Sequence, residues 1–149
     1  MGQAMRPASV NALIDEARTW LGTPYHHQAS IKRVGCDCVG FLAEVALTCE
    51  VITPQLRAQF PTDYSRQAAG QSLRRQLTGR LVPVAFDSRA PGDIVLMRFE
   101  IDPQHLAMLT ARDPDYIIHC GEHGVVEHRL DSVWRARIVR VYRFPVLGA

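Results

Sequence analysis

The chain has 149 residues, 47% of them hydrophobic and 21% charged, enough for one mainly aliphatic core and a single domain over residues 1–149. Its formal net charge is only +2, and its arginines are scattered without interleaved aromatics, which argues against a nucleic-acid partner. No apolar run reaches membrane-spanning length, and Met1 to Pro7 lacks the apolar centre of a signal peptide. Cytoplasmic synthesis without membrane insertion is therefore expected.

Residues from about Ser9 to Leu21 have the spacing of an amphipathic helix, with Leu13, Ala17 and Trp20 on one face and Ile14 and Leu21 beside them. Gly22-Thr23-Pro24 stops it. A loop of small and polar residues then runs to Asp37, where a strongly apolar helix begins at Cys38 and continues to about Cys49. Pro54 and Pro61 bracket a polar connection, and Tyr64 to Leu77 reads as a third helix closed by Gly79. The second half is strand-like: Ile94 to Phe99, Gln104 to Ala111, Tyr116 to Cys120, Val125 to His128 and Ile138 to Tyr142. Helices followed by hairpin-linked strands predict an α+β fold with an antiparallel sheet.

Chemistry concentrates at the start of the second helix. A cysteine in a first helical turn meets unsatisfied N–H groups and the positive end of the helix dipole, which favour a thiolate. A thiol nucleophile also needs a base, a group that orients the base, and donors for an oxyanion. His105 and His119 lie on neighbouring predicted strands. Both imidazoles are expected on the sheet face that the second helix covers, with His105 taking the thiol proton and His119 orienting it. The Cys38 N–H is the expected oxyanion donor. Asp37 would oppose thiolate formation unless its carboxylate is engaged by backbone N–H groups as an N-cap.

Gly22-Thr23-Pro24-Tyr25, Gly35-Cys36-Asp37-Cys38-Val39-Gly40-Phe41, Pro91-Gly92-Asp93-Ile94, Gln104-His105-Leu106-Ala107-Met108 and Ile117-Ile118-His119-Cys120 resemble successive motifs of the NlpC-type (NlpC/p60) cell-wall peptidases. The resemblance runs from about Ser9 to Tyr142. It implies a papain-like domain that hydrolyses peptidoglycan stem peptides next to γ-D-glutamate through a thioester. Cys38 would be the nucleophile, His105 the base, His119 the orienting residue and Tyr25 a neighbour of substrate and thiol; Asp37 stands beside them in the same loop. Val39 replaces the usual serine, Cys36 a bulkier residue, and His26-His27-Gln28 a frequent Gly-Gly. The Tyr25 and Gly35-Cys36-Asp37-Cys38 segments look like the branch carried by phage, prophage and gene-transfer-agent tails. That branch implies tail-tip partners and action on the cell wall after release or delivery.

No metal or organic cofactor is expected. A zinc site is the rival use of Cys36, Cys38, His26, His27, His119, Cys120, His123 and His128, but the spacing contains no Cys-x-x-Cys pair. Two further alternatives are an inactive structural tail protein and another thiol acyl-transferase or amidase on the same fold. The four cysteines, without a secretion signal, read as thiols.

Overall fold

The N-terminal layer begins where Ser9 caps a helix by accepting the Ala12 N–H, and α1 spans Val10–Arg18. A computed structural model describes residues 9–60, 71–99 and 102–148. Leu13, Ala17 and Trp20 are buried as the spacing predicts. Leu21 lies past the helix end and is exposed. Two short strands, β1 (Ser30–Ile31) and β2 (Gly35–Cys36), pair antiparallel inside the loop that precedes α2 (Cys38–Thr48).

The polar connection after α2 contains a helix that the sequence pattern does not suggest, α3 (Pro54–Ala58). Thr53 accepts the Leu56 N–H and Pro54 occupies the first turn, a local start signal stronger than the polar composition. Of the expected third helix, α4 (Gln71–Thr78) is present, and Tyr64 to Gly70 lie outside the described residues.

Six strands follow: β3 (Val82–Val84), β4 (Ile94–Phe99), β5 (Asp102–Ala111), β6 (Tyr116–Gly121), β7 (Gly124–Arg129) and β8 (Ile138–Arg143). A short helix α5 (Ser132–Arg135) precedes β8. They form an antiparallel sheet in the order β3-β8-β4-β5-β6-β7. Strand β3 was not expected. Pro83 fits there because a proline without an N–H is tolerated on an edge strand, and β3 is one.

Helix α2 lies on one sheet face against β5 and β6, with α1 packed on α2 and α4 against β5. Leu96, Leu106, Met108, Ile118 and Cys120 are buried there in one cluster with Leu13, Phe41, Leu42 and Val45. Because α2 is buried on nearly every side, its sequence is apolar all round rather than striped. On the opposite face a smaller cluster joins Val95, Met97, Ala107, Leu109, Ile117 and Leu130, with Trp134 and Ile138 against it.

The Pro91-Gly92-Asp93 turn locks the start of β4. Gly92 has φ 95°, a region that favours glycine. Asp93, 1% exposed, accepts the Ala90 N–H at 2.8 Å and two bonds from the Arg143 guanidinium at 2.8 and 2.9 Å. This motif is thus a clamp between β4 and β8. No helix among the described residues is long and apolar enough to cross a membrane.

Candidate active site

The loop from Thr23 to Asp37 is shaped to deliver Cys38 at a helix tip. Asp37 donates its N–H to the Ala29 carbonyl and accepts Gly40 N–H at Oδ1 (2.7 Å) and Gln28 N–H at Oδ2 (2.9 Å). It is 2% exposed, so the carboxylate is held by backbone donors, in the manner of an N-cap. The same junction explains Gly40: a Cβ there would lie 2.4 Å from the Ala29 carbonyl oxygen and 3.0 Å from Ser30 Cβ. The Asp-Cys-x-Gly spacing therefore fastens the loop to the first turn of α2.

Asp37→Asn would bring an amide donor against one of those two N–H groups. It is expected to lower unfolding stability by about 1–3 kcal/mol, measured by urea denaturation. An unchanged midpoint would contradict the anchoring role.

Cys38 is the first residue of α2 and 4% exposed. It lies in one buried cluster with Leu106 and Cys120, the chain neighbours of His105 and His119. Tyr25 is exposed, pairs with Cys36 through an isolated bridge, and stands close enough to feel charge at the thiol. Burial, Asp37, Cys38 and Cys120 all push its hydroxyl pKa up, so Tyr25 is a neutral hydrogen-bonding group. Cys36 engages Cys120, with sulfurs 3.4 Å apart and the Cys120 thiol donating to the Cys36 carbonyl at 3.1 Å.

His105 on β5 and His119 on β6 meet directly, Nε2 of the first 2.8 Å from Nδ1 of the second. Their placement corrects the expected face. Leu106, Met108, Ile118 and Cys120 point toward α2, so the period of two sends His105, Ala107, Ile117 and His119 to the other side. The β5–β6 ladder ends at Met108↔Ile118, and beyond it the imidazole pair joins the two strands. Burial, then His119 and Arg137, lower His105 to about 3; burial, then His128, lower His119 to about 4. Both rings are neutral at physiological pH, as a proton acceptor requires.

Two side chains without a catalytic role in the sequence reading complete the site. His128 on β7 approaches His119, Nε2 to Nε2, at 2.8 Å. The Trp134 indole covers both rings, with centroids 5.0 Å from His119 and 4.8 Å from His128. Arg137 stacks over Trp134 and Phe99. These residues line a cleft of about 580 Å³ that opens beside the histidines. Among the described residues, no group of three or more His, Cys, Asp or Glu side chains is arranged to hold a metal ion.

No sequence-family model matches the chain, and no curated protein matches it. Solved structures do. An NlpC/P60-family protein similar to a lipoprotein from Staphylococcus aureus superposes with a TM-score of 0.66 at 16% identity, over 95% of this chain and 43% of its own. An NlpC/P60-family protein from Bacillus cereus gives 0.66 at 21% identity, over 91% of this chain and 40% of its own. The NlpC/p60 domain of the peptidoglycan hydrolase SagA gives 0.61 at 18% identity, over 90% of this chain and 97% of that domain. The chain has the NlpC/P60 fold. It spans less than half of the two longer proteins and nearly all of the isolated SagA domain. The α+β architecture expected from the sequence, with N-terminal helices on an antiparallel sheet, is that of NlpC/P60 domains.

Proposed function

We propose that residues 1–149 form one NlpC/P60 cysteine peptidase domain that hydrolyses peptidoglycan stem peptides, next to γ-D-glutamate. The observation that carries this reading is the 2.8 Å His105–His119 imidazole pair, in a chain that also holds a buried cysteine at a capped helix tip and has the fold of a peptidoglycan hydrolase domain. Fold alone does not assign chemistry. The neutral, hydrogen-bonded imidazole pair is what a thiol acyl transfer needs.

In this mechanism the Cys38 thiol at the tip of α2 meets His105 beyond the end of the β5–β6 ladder. His105 Nδ1 takes the thiol proton as sulfur attacks the scissile carbonyl carbon. The oxyanion forms at the N-terminal end of α2, where the helix dipole favours negative charge. Collapse of the tetrahedral intermediate breaks the C–N bond, and the His105 imidazolium protonates the leaving amine. Water, deprotonated by His105, then hydrolyses the thioester and regenerates the thiol. His119 orients His105, Tyr25 contacts the bound peptide, and Asp37 holds the loop that presents the thiol. No metal or organic cofactor takes part.

The phage-type tail setting rests on the resemblance of the segments around Tyr25 and Cys38. In that setting, tail-tip proteins are the partners and the cell wall is the place of action.

Purified protein incubated with disaccharide-peptide fragments of peptidoglycan is expected to release a shortened stem peptide with a new free amine, identified by mass spectrometry. Intact fragments after prolonged incubation with folded protein would overturn the proposal.

A further inference from the structure

The imidazole pair does not end at His119. His119 Nε2 continues to His128 Nε2 at 2.8 Å, and His128 Nδ1 lies 2.9 Å from the Arg129 carbonyl oxygen. Three rings and one backbone carbonyl therefore form a single file across β5, β6 and β7.

A carbonyl oxygen can only accept, and that fact sets the direction of every bond in the file. His128 must carry its proton on Nδ1, which leaves Nε2 as an acceptor. His119 must then donate from Nε2, leaving its Nδ1 to accept. His105 must donate from Nε2, and its Nδ1 is left unprotonated. Reversing any bond would put a hydrogen on His105 Nδ1 and remove the base.

We propose that His128, anchored on the Arg129 carbonyl, is a positioning residue that sets the tautomers of His119 and His105 and so keeps His105 Nδ1 the basic nitrogen. The consequence for catalysis rests on the peptidase reading above; the tautomer order itself does not. Burial supports the assignment, because His105 and His119 each hold one proton near neutral pH. The ring of His128 is also fixed from the side by Trp134, 4.8 Å between centroids. A ring clamped by an indole and a carbonyl has little freedom to flip. That is what a tautomer anchor requires, and what a solvated surface histidine lacks.

The test uses the full chain, uniformly ¹⁵N-labelled at pH 8, above the ordinary histidine range. Two-bond ¹⁵N–¹H correlations distinguish Nδ1–H from Nε2–H in each ring. His105 and His119 are expected as Nε2–H tautomers and His128 as Nδ1–H. His119 or His105 found as Nδ1–H in the wild type would overturn the proposal, whether or not the protein hydrolyses peptidoglycan.

Two variants then separate a hydrogen-bond role from a packing role. His128→Phe keeps a ring against Trp134 but removes the acceptor, and His119 is expected to lose its single tautomer. The turnover number should fall about 10- to 100-fold with little change in KM. His128→Gln restores an acceptor oxygen and is expected to recover the Nε2–H signature and most of the turnover. If His128→Phe retained the wild-type tautomers, the anchoring role would be wrong. Correct tautomers in a wild type without hydrolytic activity would sink the peptidase reading and leave the ordered file standing.

Discussion

Replacing His105 with alanine is expected to lower the turnover number for stem-peptide hydrolysis by about 10²–10⁴-fold, with KM changed little. The substitution removes the acceptor for the Cys38 proton and also the donor that completes the bond to His119 Nδ1. The fold should survive, because His105 lines the cleft and belongs to neither hydrophobic cluster. The packing lost is the pair of edge contacts with Phe99 at 5.2 Å and His119 at 4.9 Å. His119→Ala is expected to cost less, about 10- to 100-fold, because His119 acts through His105. Steady-state kinetics beside circular dichroism checks both. A His105→Ala protein that is folded and turns over at the wild-type rate would contradict the proposed role of the imidazole.

The second large effect is on acid stability. His105 is held down to about 3 and His119 to about 4, whereas unfolded histidine protonates near 6.5. Between these values the unfolded chain binds protons that the folded chain refuses, so the unfolded state gains as pH falls. The stability is fully present above about pH 6.5 and is lost through the interval down to about 4, by several kcal/mol in all. Depressed carboxylates act in a lower window. Asp115, bonded to Arg89, and Glu127, bonded to Arg18 and Thr110, add stability above about pH 4 that disappears in stronger acid.

Denaturant unfolding of wild type at pH 7.5, 6.0 and 4.5 is expected to show the steep loss. A His105→Ala/His119→Ala variant should start lower at pH 7.5, because packing is lost, yet change much less across the same range. Parallel slopes for the two proteins would show that the histidines are not the groups responsible.

The physical origin of what could be read in advance differs from residue to residue. α2 was legible because its start carries its own signal: Asp37 caps at Gly40, and the apolar run begins at once. β4 was legible as an apolar run entered from the Pro91-Gly92-Asp93 turn, and it spans Ile94–Phe99 as expected, buried on both faces. The side of the sheet was harder. Helix cover is a tertiary fact, and only the packing of Leu106 and Cys120 on α2 shows that His105 and His119 face away from it. α3 was hidden by a polar composition that masks the Thr53-Pro54 start.

His128 was within reach of sequence reasoning. A two-residue turn at Glu122-His123 sets the β6–β7 register as His119↔Val126 and Ile117↔His128, which puts His128 diagonal to His119 on the same face. What periodicity could not supply was the 2.8 Å contact, nor Trp134 folding over the rings from beyond β7. The pairing of Cys36 with Cys120 likewise depends on the loop settling against β6, a contact between residues 84 positions apart.

Acylation of Cys38 during turnover can be caught by mixing the protein with a stem-peptide substrate, quenching in acid within the first turnovers, and mapping the protein by mass spectrometry. An added mass equal to the acyl portion of the substrate is expected, as a thioester on the peptide containing Cys38 and absent from Cys38→Ala. Hydrolysis by Cys38→Ala at the wild-type rate, or an acyl group carried by a different residue, would contradict acylation of Cys38 as a step of turnover.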